Sequence, residues 1–309
     1  MILIPLFRGD SRLSGSIAKA DLYHWCKIPV EQLSSRPDLR MPLRLCENAA
    51  SMADLMAREL VDNIASAAAI GQAFRVIIPC GPSGWYGPFT ELINRERVSL
   101  SHVTVFHMDE CLDWQGRALP RAHPYSFQGF MEDHFYGPVE PALRVPETQR
   151  RWLTPANLES ISADLATNPA DLAYGGWGQD GHVAYNQARR NLYSTLSVEE
   201  LAGSTARIQD NNPDTVIALA QRVLGSAYQF VPAMSVTLGM REILSSRKIR
   251  LFSDTGAWKQ TALRVALFSD PTPEYPVTLL QEHHDAVLTA TIETAAHPIS
   301  LHPEWDLGV

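Results

Sequence analysis

Hydrophobic positions along the chain fall into short apolar runs that alternate with longer stretches of helical spacing. The apolar runs predict strands at 74–78, 102–108, 171–174, 234–238, 248–253 and 286–291. Apolar residues at steps of three and four predict helices at 47–70, 125–135, 152–167, 213–224 and 256–267, and another between about 85 and 94. Strands that alternate with helices are typical of an α/β fold, in which helices cover both faces of a parallel sheet.

The first 45 residues lack this alternation and carry scattered proline, serine and arginine. We therefore predict an N-terminal extension over 1–45 that packs on the core, followed by a single α/β domain over 46–309. The chain shows no repeat, no low-complexity tract and no clear linker that would divide the domain further.

The predicted topology places the chemistry at one edge of the sheet. In open α/β sheets, ligands bind beyond the carboxyl ends of the strands. Four loops follow predicted strands and should converge there: 79–88, 108–114, 175–187 and 254–259.

Charge and composition exclude several classes of function. A net charge of −8 and a pI near 5.7 argue against binding to nucleic acid or to a membrane surface. No apolar run is long enough to span a bilayer, and the first residues do not form a signal peptide. The four cysteines show neither a CxxC pair nor zinc spacing, as expected of reduced thiols in a cytoplasmic protein.

The most informative stretch is 171–187, which runs from a short apolar strand into four glycines within seven residues. Glycines let backbone approach a ligand closely, and we place Gly176 among the substrate-binding positions. Asp180 and His182 follow on the same turn, where an acid and an imidazole can act on one substrate. The alternative, a lone core histidine, is less favoured beside four glycines.

The stretch 176–181 also matches the G-x-G-x-x-G dinucleotide fingerprint. Trp177 is bulky at the point where a pyrophosphate would pass, and no matching acid follows about 20 residues later. A tight glycine turn is the favoured interpretation.

The other loops carry further candidates. Gly81, Ser83 and Gly84 lie in a turn that leads into a helix, where backbone N–H groups form an anion site; two prolines leave a purely structural turn open. Asp109 ends a buried strand, so burial should raise its pKa toward the range useful for proton transfer; a capping or salt-bridged acid is the alternative.

Lys259 would suit a phosphate, although most lysines are solvated surface charges.

Two further groups carry weaker signals. Arg207 is a less specific candidate for the phosphate than Lys259. His283 and His284 are adjacent, and adjacent histidines rarely chelate one ion well, so we predict no metal.

The segments 106–110, 123–127 and 175–186 resemble the glucosamine-6-phosphate deaminase/isomerase family, which shares a fold with 6-phosphogluconolactonases. The resemblance runs from about 70 to 295, in order and with similar spacing. It implies a Rossmann-like α/β fold, a small phosphorylated sugar as substrate, and no metal or organic cofactor. A homo-oligomer is left open.

The resemblance also implies roles for single residues. The acid matching Asp109 moves a proton between C1 and C2 of the sugar, the acid matching Asp180 assists, and the histidine matching His182 opens the ring. The loop 81–84, with Lys259 and, after a one-residue shift, Arg207, holds the phosphate.

Two positions depart from the family pattern. Gln187 stands where the family has a glutamate that partners the ring-opening histidine, and an amide cannot supply that charge. We therefore place Gln187 among the candidate catalytic residues but expect weakened ring opening. Pro82 removes one N–H donor from the phosphate loop.

The predicted function is aldose–ketose isomerisation with deamination of a hexosamine 6-phosphate. The alternatives are a 6-phosphogluconolactonase-like hydrolase or another phosphosugar isomerase, and a non-catalytic sugar-phosphate-binding protein. The lactonases usually carry Asp-Glu-Arg-Trp where this chain has Asp109-Glu-Cys-Leu, which favours the deaminases. Residues 1–45 hold no helix-turn-helix of the kind that regulators carry ahead of this domain.

Overall fold

A seven-stranded parallel sheet forms the centre of the fold in a computed structural model, which describes residues 17–187, 196–256 and 258–309. The strands in these ranges are β1 (Leu43–Cys46), β2 (Phe74–Ile78), β3 (Val103–His107), β4 (Asp109–Leu112), β5 (Arg150–Arg151), β6 (Leu172–Gly175), β7 (Arg207–Asp210), β8 (Met234–Thr237), β9 (Ile249–Ser253) and β10 (Ala286–Thr291). The large sheet has the order β1-β10-β9-β6-β2-β3-β5.

Helices surround this sheet. The α-helices of the described ranges are α1 (Lys19–Cys26), α2 (Val30–Leu33), α3 (Ala49–Ala69), α4 (Tyr86–Glu96), α5 (Phe127–Met131), α6 (Leu158–Thr167), α7 (Val198–Ala202), α8 (Pro213–Val223), α9 (Met240–Leu244), α10 (Gln260–Phe268), α11 (Ile292–Ala295) and α12 (Pro298–Leu301). A π-helical turn, Glu132–Tyr136, continues α5. None of these helices is both long and apolar enough to cross a membrane.

Alternate residues of the central strands pack on opposite faces of the sheet, as the two-residue period of a strand requires. Val76 and Ile78 belong to the core layer that contains the apolar residues of α3 and α4. Ile77 and Phe106 belong to the other layer, which contains the apolar residues of α6 and α10. The predicted α/β class, a parallel sheet with helices on both faces, is therefore confirmed.

A second, antiparallel sheet of three strands has the order β4-β8-β7. The run at 234–238 forms a strand as predicted, but the strand belongs to this smaller sheet. Only Met108 separates β3 from β4, so the chain passes directly from one sheet to the other. Asp109 begins β4 at this junction, opposite Thr237.

The N-terminal region contributes to both helices and sheet. Residues 1–16 of the predicted extension lie outside the described residues. The buried Arg264 of α10 donates hydrogen bonds to the carbonyls of Trp25 (3.2 Å) and Ile28 (3.0 Å), which ties the end of α1 to the domain. Leu43–Cys46 is the edge strand of the large sheet, parallel to β10. The division between 45 and 46 falls inside this strand, and the two-part organisation stays a prediction.

Two helices begin four or more residues later than the sequence pattern predicts. The helix expected from 152 starts at Leu158, because the Asn157 side chain bonds the Trp152 carbonyl and the Thr154 N–H, both at 2.8 Å, and closes a turn before it. The helix expected from 256 starts at Gln260, since Gly256 has a left-handed φ of 59°.

Candidate active site

Four neighbouring strands of the large sheet, β9, β6, β2 and β3, send the loops that follow them to one cavity of about 260 Å³. Gly81 comes from the loop after β2, Asp109 follows β3, His182 comes from the loop after β6, and Lys259 follows β9. Residues of α8 form the remaining wall. The predicted convergence of these loops is confirmed.

Asp109 is half-buried in the cavity wall. Burial, with the charge of Glu110 as a smaller cause, raises the pKa of its carboxyl from 3.8 to about 8. A carboxylate is a stronger base when its pKa is raised, and a pKa near the working pH is what proton transfer requires. Asp109 therefore has the electrostatic setting that its position at the end of a buried strand predicts.

Glu110, the next residue, has a structural task. Its carboxylate accepts hydrogen bonds from the N–H groups of Cys111 (2.9 Å), Phe127 (2.8 Å) and Gln128 (2.7 Å). The last two N–H groups belong to the first turn of α5, which has no intrahelical acceptors for them. Glu110 thus fixes β4 to α5 and leaves Asp109 facing the cavity.

Asp180 and His182 form a close pair on the loop of residues 176–187, called the glycine loop below. Oδ1 of Asp180 lies 2.5 Å from Nδ1 of His182 and 3.3 Å from its backbone N–H. Burial opposes ionisation of Asp180, but the charge and hydrogen bonds of His182 outweigh it and bring its pKa to about 2. An ionised Asp180 only accepts hydrogen bonds, so Nδ1 carries a proton whether or not the ring is charged, and Nε2 is the nitrogen that can exchange a proton with a ligand.

Gly178 makes room for the imidazole of His182. A Cβ at this position would lie 2.0 Å from Cε1 and 2.5 Å from Nε2 of the ring. The ring also lies nearly parallel to that of Tyr185, with centroids 6.4 Å apart and an interplanar angle of 6°. The glycine is needed for this close approach, whereas Gly181 is needed for its φ of 74°.

The turn between β2 and α4 contributes only its first residues to the cavity. Gly81 and Pro82 line it, and Gly176 packs against them, since a Cβ there would lie 3.2 Å from Cδ of Pro82. Within the described chain, Ser83 and Gly84 are outside the lining; the Ser83 carbonyl accepts the N–H of Tyr86 at 3.1 Å.

Among the residues that the structure describes, two cationic side chains line the cavity, Lys259 and Arg222. Burial lowers the pKa of Lys259 to about 8; the charge of Arg222 adds to the effect and that of Asp254 opposes it. Burial lowers the pKa of Arg222 to about 10, so it stays charged at neutral pH. Cations that are partly desolvated and close together are arranged to accept an anion.

Arg207, which the resemblance suggested for the phosphate, lies in β7 and bonds the Thr205 carbonyl at 3.3 Å. It is not among the described residues that line the cavity, where Arg222 stands instead. Helical spacing shows which residues share a face with Arg222, and the packing of α8 shows that this face meets the cavity. Arg222 continues the cavity-facing stripe Thr215, Ala218 and Leu219 at steps of three and four along α8.

Gln187 is buried at the end of the glycine loop. Its Nε2 donates to Oγ1 of Thr215 at 2.5 Å, and its Oε1 accepts the N–H of Asn212 at 3.0 Å. In the part of the chain that the structure describes, no hydrogen bond joins it to His182. The histidine is paired with Asp180, and Gln187 is paired with the start of α8.

His283 and His284 stack on each other at 4.5 Å, and Nε2 of His283 lies 2.8 Å from the Ser246 carbonyl. No group of three or more His, Cys, Asp or Glu side chains in the described ranges is placed to hold a metal ion.

Comparisons with known proteins agree with the family resemblance that the sequence motifs indicate. No model of a known protein family matches the chain. The chain is similar to a glucosamine-6-phosphate deaminase of Caenorhabditis elegans, with 28% identity over 267 residues that cover 81% of this chain and 89% of that one. A monomeric glucosamine-6-phosphate deaminase of known structure superposes with a TM-score of 0.70 at 21% identity, covering 82% of this chain and 99% of that one. A 6-phosphogluconolactonase from Thermotoga maritima superposes with a TM-score of 0.56 at 16% identity, covering 81% and 98%. These similarities confirm the resemblance that the sequence motifs indicate.

Proposed function

We propose that this chain, a divergent relative of the glucosamine-6-phosphate deaminases, is an enzyme that isomerises and deaminates a hexosamine 6-phosphate. The observation that carries the proposal is that one cavity holds a carboxyl of raised pKa, a carboxylate–histidine pair and two cations. The relatives' names supply the substrate class, and the side chains supply a role for each step.

The phosphate binds first. Lys259 and Arg222 offer positive charge, and the backbone at Gly81 allows close approach. A bound dianion favours the charged form of Lys259, so binding raises its pKa above that of the empty site.

Ring opening is assigned to His182. Nε2 takes the proton from the anomeric hydroxyl and returns it to the ring oxygen as the C1–O5 bond breaks, leaving an aldehyde at C1. Asp180 keeps Nδ1 protonated throughout and stabilises the positive charge that the ring carries between the two transfers.

Isomerisation is assigned to Asp109. Its ionised carboxylate takes the proton from C2 while a proton of the substrate's ammonium group passes to the C1 oxygen, which gives an enolamine. The carboxyl then delivers its proton to C1, which leaves an iminium group at C2. Water then adds to C2 and ammonia leaves. The balance is hexosamine phosphate plus water to ketohexose phosphate plus ammonia, and Asp109 ends each cycle ionised.

The catalytic set of the proposal is Asp109, Asp180 and His182, and the phosphate-binding set is Gly81, Arg222 and Lys259. Gly176 supports the second set by packing against the turn of Gly81. The cytoplasmic location and the phosphosugar partner predicted from the sequence belong to the same proposal.

The test is a panel of substrates given to the purified protein. Glucosamine 6-phosphate and galactosamine 6-phosphate are assayed for ammonia, and 6-phosphogluconolactone for acid release. Ammonia from either amino sugar supports the proposal. Hydrolysis of the lactone without ammonia from the sugars would favour the lactonase alternative, and binding without turnover of all three would favour a non-catalytic binder.

A further inference from the structure

Gln187 links the glycine loop to the first turn of α8. Its amide donates to Oγ1 of Thr215 and accepts from the N–H of Asn212, the residue that precedes the helix. An amide serves both bonds with one side chain, because it carries a donor and an acceptor. Gln187, which departs from the family pattern, therefore forms hydrogen bonds with the start of α8.

A second glutamine of the same loop reinforces this contact. Nε2 of Gln179 donates to the carbonyl of Asp214 at 3.1 Å, in the first turn of α8, and its Oε1 lies 3.4 Å from Nη2 of Arg222 in the last turn. Amides of the glycine loop thus bond α8 near both of its ends.

The position of α8 decides the position of Arg222. One face of the helix lines the cavity with Thr215, Ala218, Leu219 and Arg222. The outer face is open, and Ile217 is 52% exposed. Packing holds the middle of α8, where Ala220 is buried in a cluster with Tyr125 and Val231. The bonds of Gln187 therefore act on the first turn, and a shift of ~1 Å in a binding group is enough to lower activity strongly.

We propose that Gln187 is a positioning residue that acts through α8: its two hydrogen bonds set the start of the helix and thereby hold Arg222 over the phosphate site. The inference rests on the proposed function, since that function supplies the phosphate. It assigns Gln187 a task in substrate binding and leaves ring opening to the pair of Asp180 and His182.

The experiment compares Gln187→Leu with the unaltered protein in two measurements. The first is the affinity for inorganic phosphate by calorimetry, which needs no turnover, and the second is kcat and KM for glucosamine 6-phosphate. Loss of both bonds should weaken phosphate binding and raise KM by about tenfold, with kcat changed less than about threefold.

Control variants test whether the two hydrogen bonds of Gln187, and not merely any change at a buried glutamine, affect phosphate binding. Gln187→Glu keeps the acceptor for the Asn212 N–H, and the Thr215 hydroxyl can donate to its carboxylate, so it should restore phosphate affinity to within about twofold. Gln281→Leu is the matched control. The side-chain amide of Gln281 also makes two hydrogen bonds, to the carbonyls of Ala266 (2.8 Å) and Ser269 (2.9 Å), away from the cavity. This variant should leave phosphate affinity unchanged. If Gln187→Leu fails to fold, Thr215→Val removes the same bond from the helix side.

The outcomes are distinguishable. A fall in kcat with unchanged phosphate affinity would show that Gln187 acts on the ring-opening histidine and would overturn the inference. Unchanged affinity and unchanged kinetics in both Gln187→Leu and Thr215→Val would also overturn it. An unaltered protein that binds no phosphate would overturn the proposed function, and the inference with it.

Discussion

Oδ1 of Asp180 lies 2.5 Å from Nδ1 of His182, and the carboxylate is buried while the ring is half-buried. This pairing places the ring proton on Nδ1 because Asp180, with a pKa near 2, is ionised at any physiological pH. Replacement of Asp180 by asparagine introduces an amide that can donate to Nδ1, which favours the tautomer with its proton on Nε2. Asp180→Asn should lower kcat for glucosamine 6-phosphate about 100-fold. Phosphate affinity, measured by calorimetry, should stay within about twofold; an unchanged kcat would show that the pair does not open the ring.

Gly178 is the position where one methyl group should displace the catalytic ring. The added Cβ of Gly178→Ala would lie 2.0 Å from Cε1 of His182, so the ring must move. We expect kcat to fall about 100-fold in steady-state ammonia assays. Gly87→Ala is the matched control, because a Cβ at Gly87 meets no heavy atom within 4 Å. Equal activity of the two variants would contradict the placement of His182.

The pH dependence of kcat/KM should show a maximum near pH 8. Asp109 acts as a base when ionised, and its pKa is raised to about 8, so activity rises as pH rises through that value. Lys259 binds phosphate when charged, and its pKa is lowered to about 8, so binding weakens as pH rises further. In Lys259→Arg the cation stays charged above pH 8. The fall in kcat/KM on the alkaline side should therefore move to higher pH by at least about one unit. A profile that falls with rising pH through 8 in both proteins would contradict the role of Asp109.

His107 should make the fold sensitive to acid. It is buried, stacks on Trp152 at 3.6 Å and bonds the Tyr136 hydroxyl at 2.9 Å. Burial, with a smaller effect of Arg150, lowers its pKa from 6.5 to about 3. The unfolded chain therefore binds one more proton between these values, and the free energy of unfolding falls as pH drops below 6.5, by about 2 kcal/mol at pH 5.

Denaturant unfolding at pH 7 and pH 5 tests this account. The decrease in the free energy of unfolding from pH 7 to pH 5 should be smaller in His107→Phe by about 2 kcal/mol. The variant lacks the hydrogen bond to Tyr136 at both pH values, so that bond does not affect the difference. An equal loss in both proteins would assign the acid sensitivity to other groups.

Much of the fold follows from hydrophobic spacing. Strands β2 and β10 begin and end where the apolar runs predict, because both lie inside the large sheet and all but one residue of each is buried. Strands β4 and β7 were not predicted. Their sequences, Asp-Glu-Cys-Leu and Arg-Ile-Gln-Asp, carry mainly polar residues, and their pairing with β8 depends on contacts distant in the chain.

The positions of Asp109 and His182 at the cavity were predictable, because each lies in a loop that follows a strand of the large sheet. Their catalytic roles stay a proposal. Arg222 was not predicted, since it follows no strand and its direction depends on how α8 packs. The role of Gln187 was also hidden, because its partners Asn212 and Thr215 lie 25 and 28 residues further along the chain. A side chain's identity shows which bonds it is able to make, and only the packing shows which bonds it makes.

The most direct test of the account is the stoichiometry of ammonia and ketohexose 6-phosphate formed from glucosamine 6-phosphate, with Asp109→Asn beside the unaltered protein. We expect the two products in equal amounts from the unaltered protein. The variant should lose at least about 100-fold in kcat while its phosphate affinity is kept, since the amide cannot accept the C2 proton. Full turnover by Asp109→Asn, or neither product from an unaltered protein that binds the phosphosugar, would contradict the account.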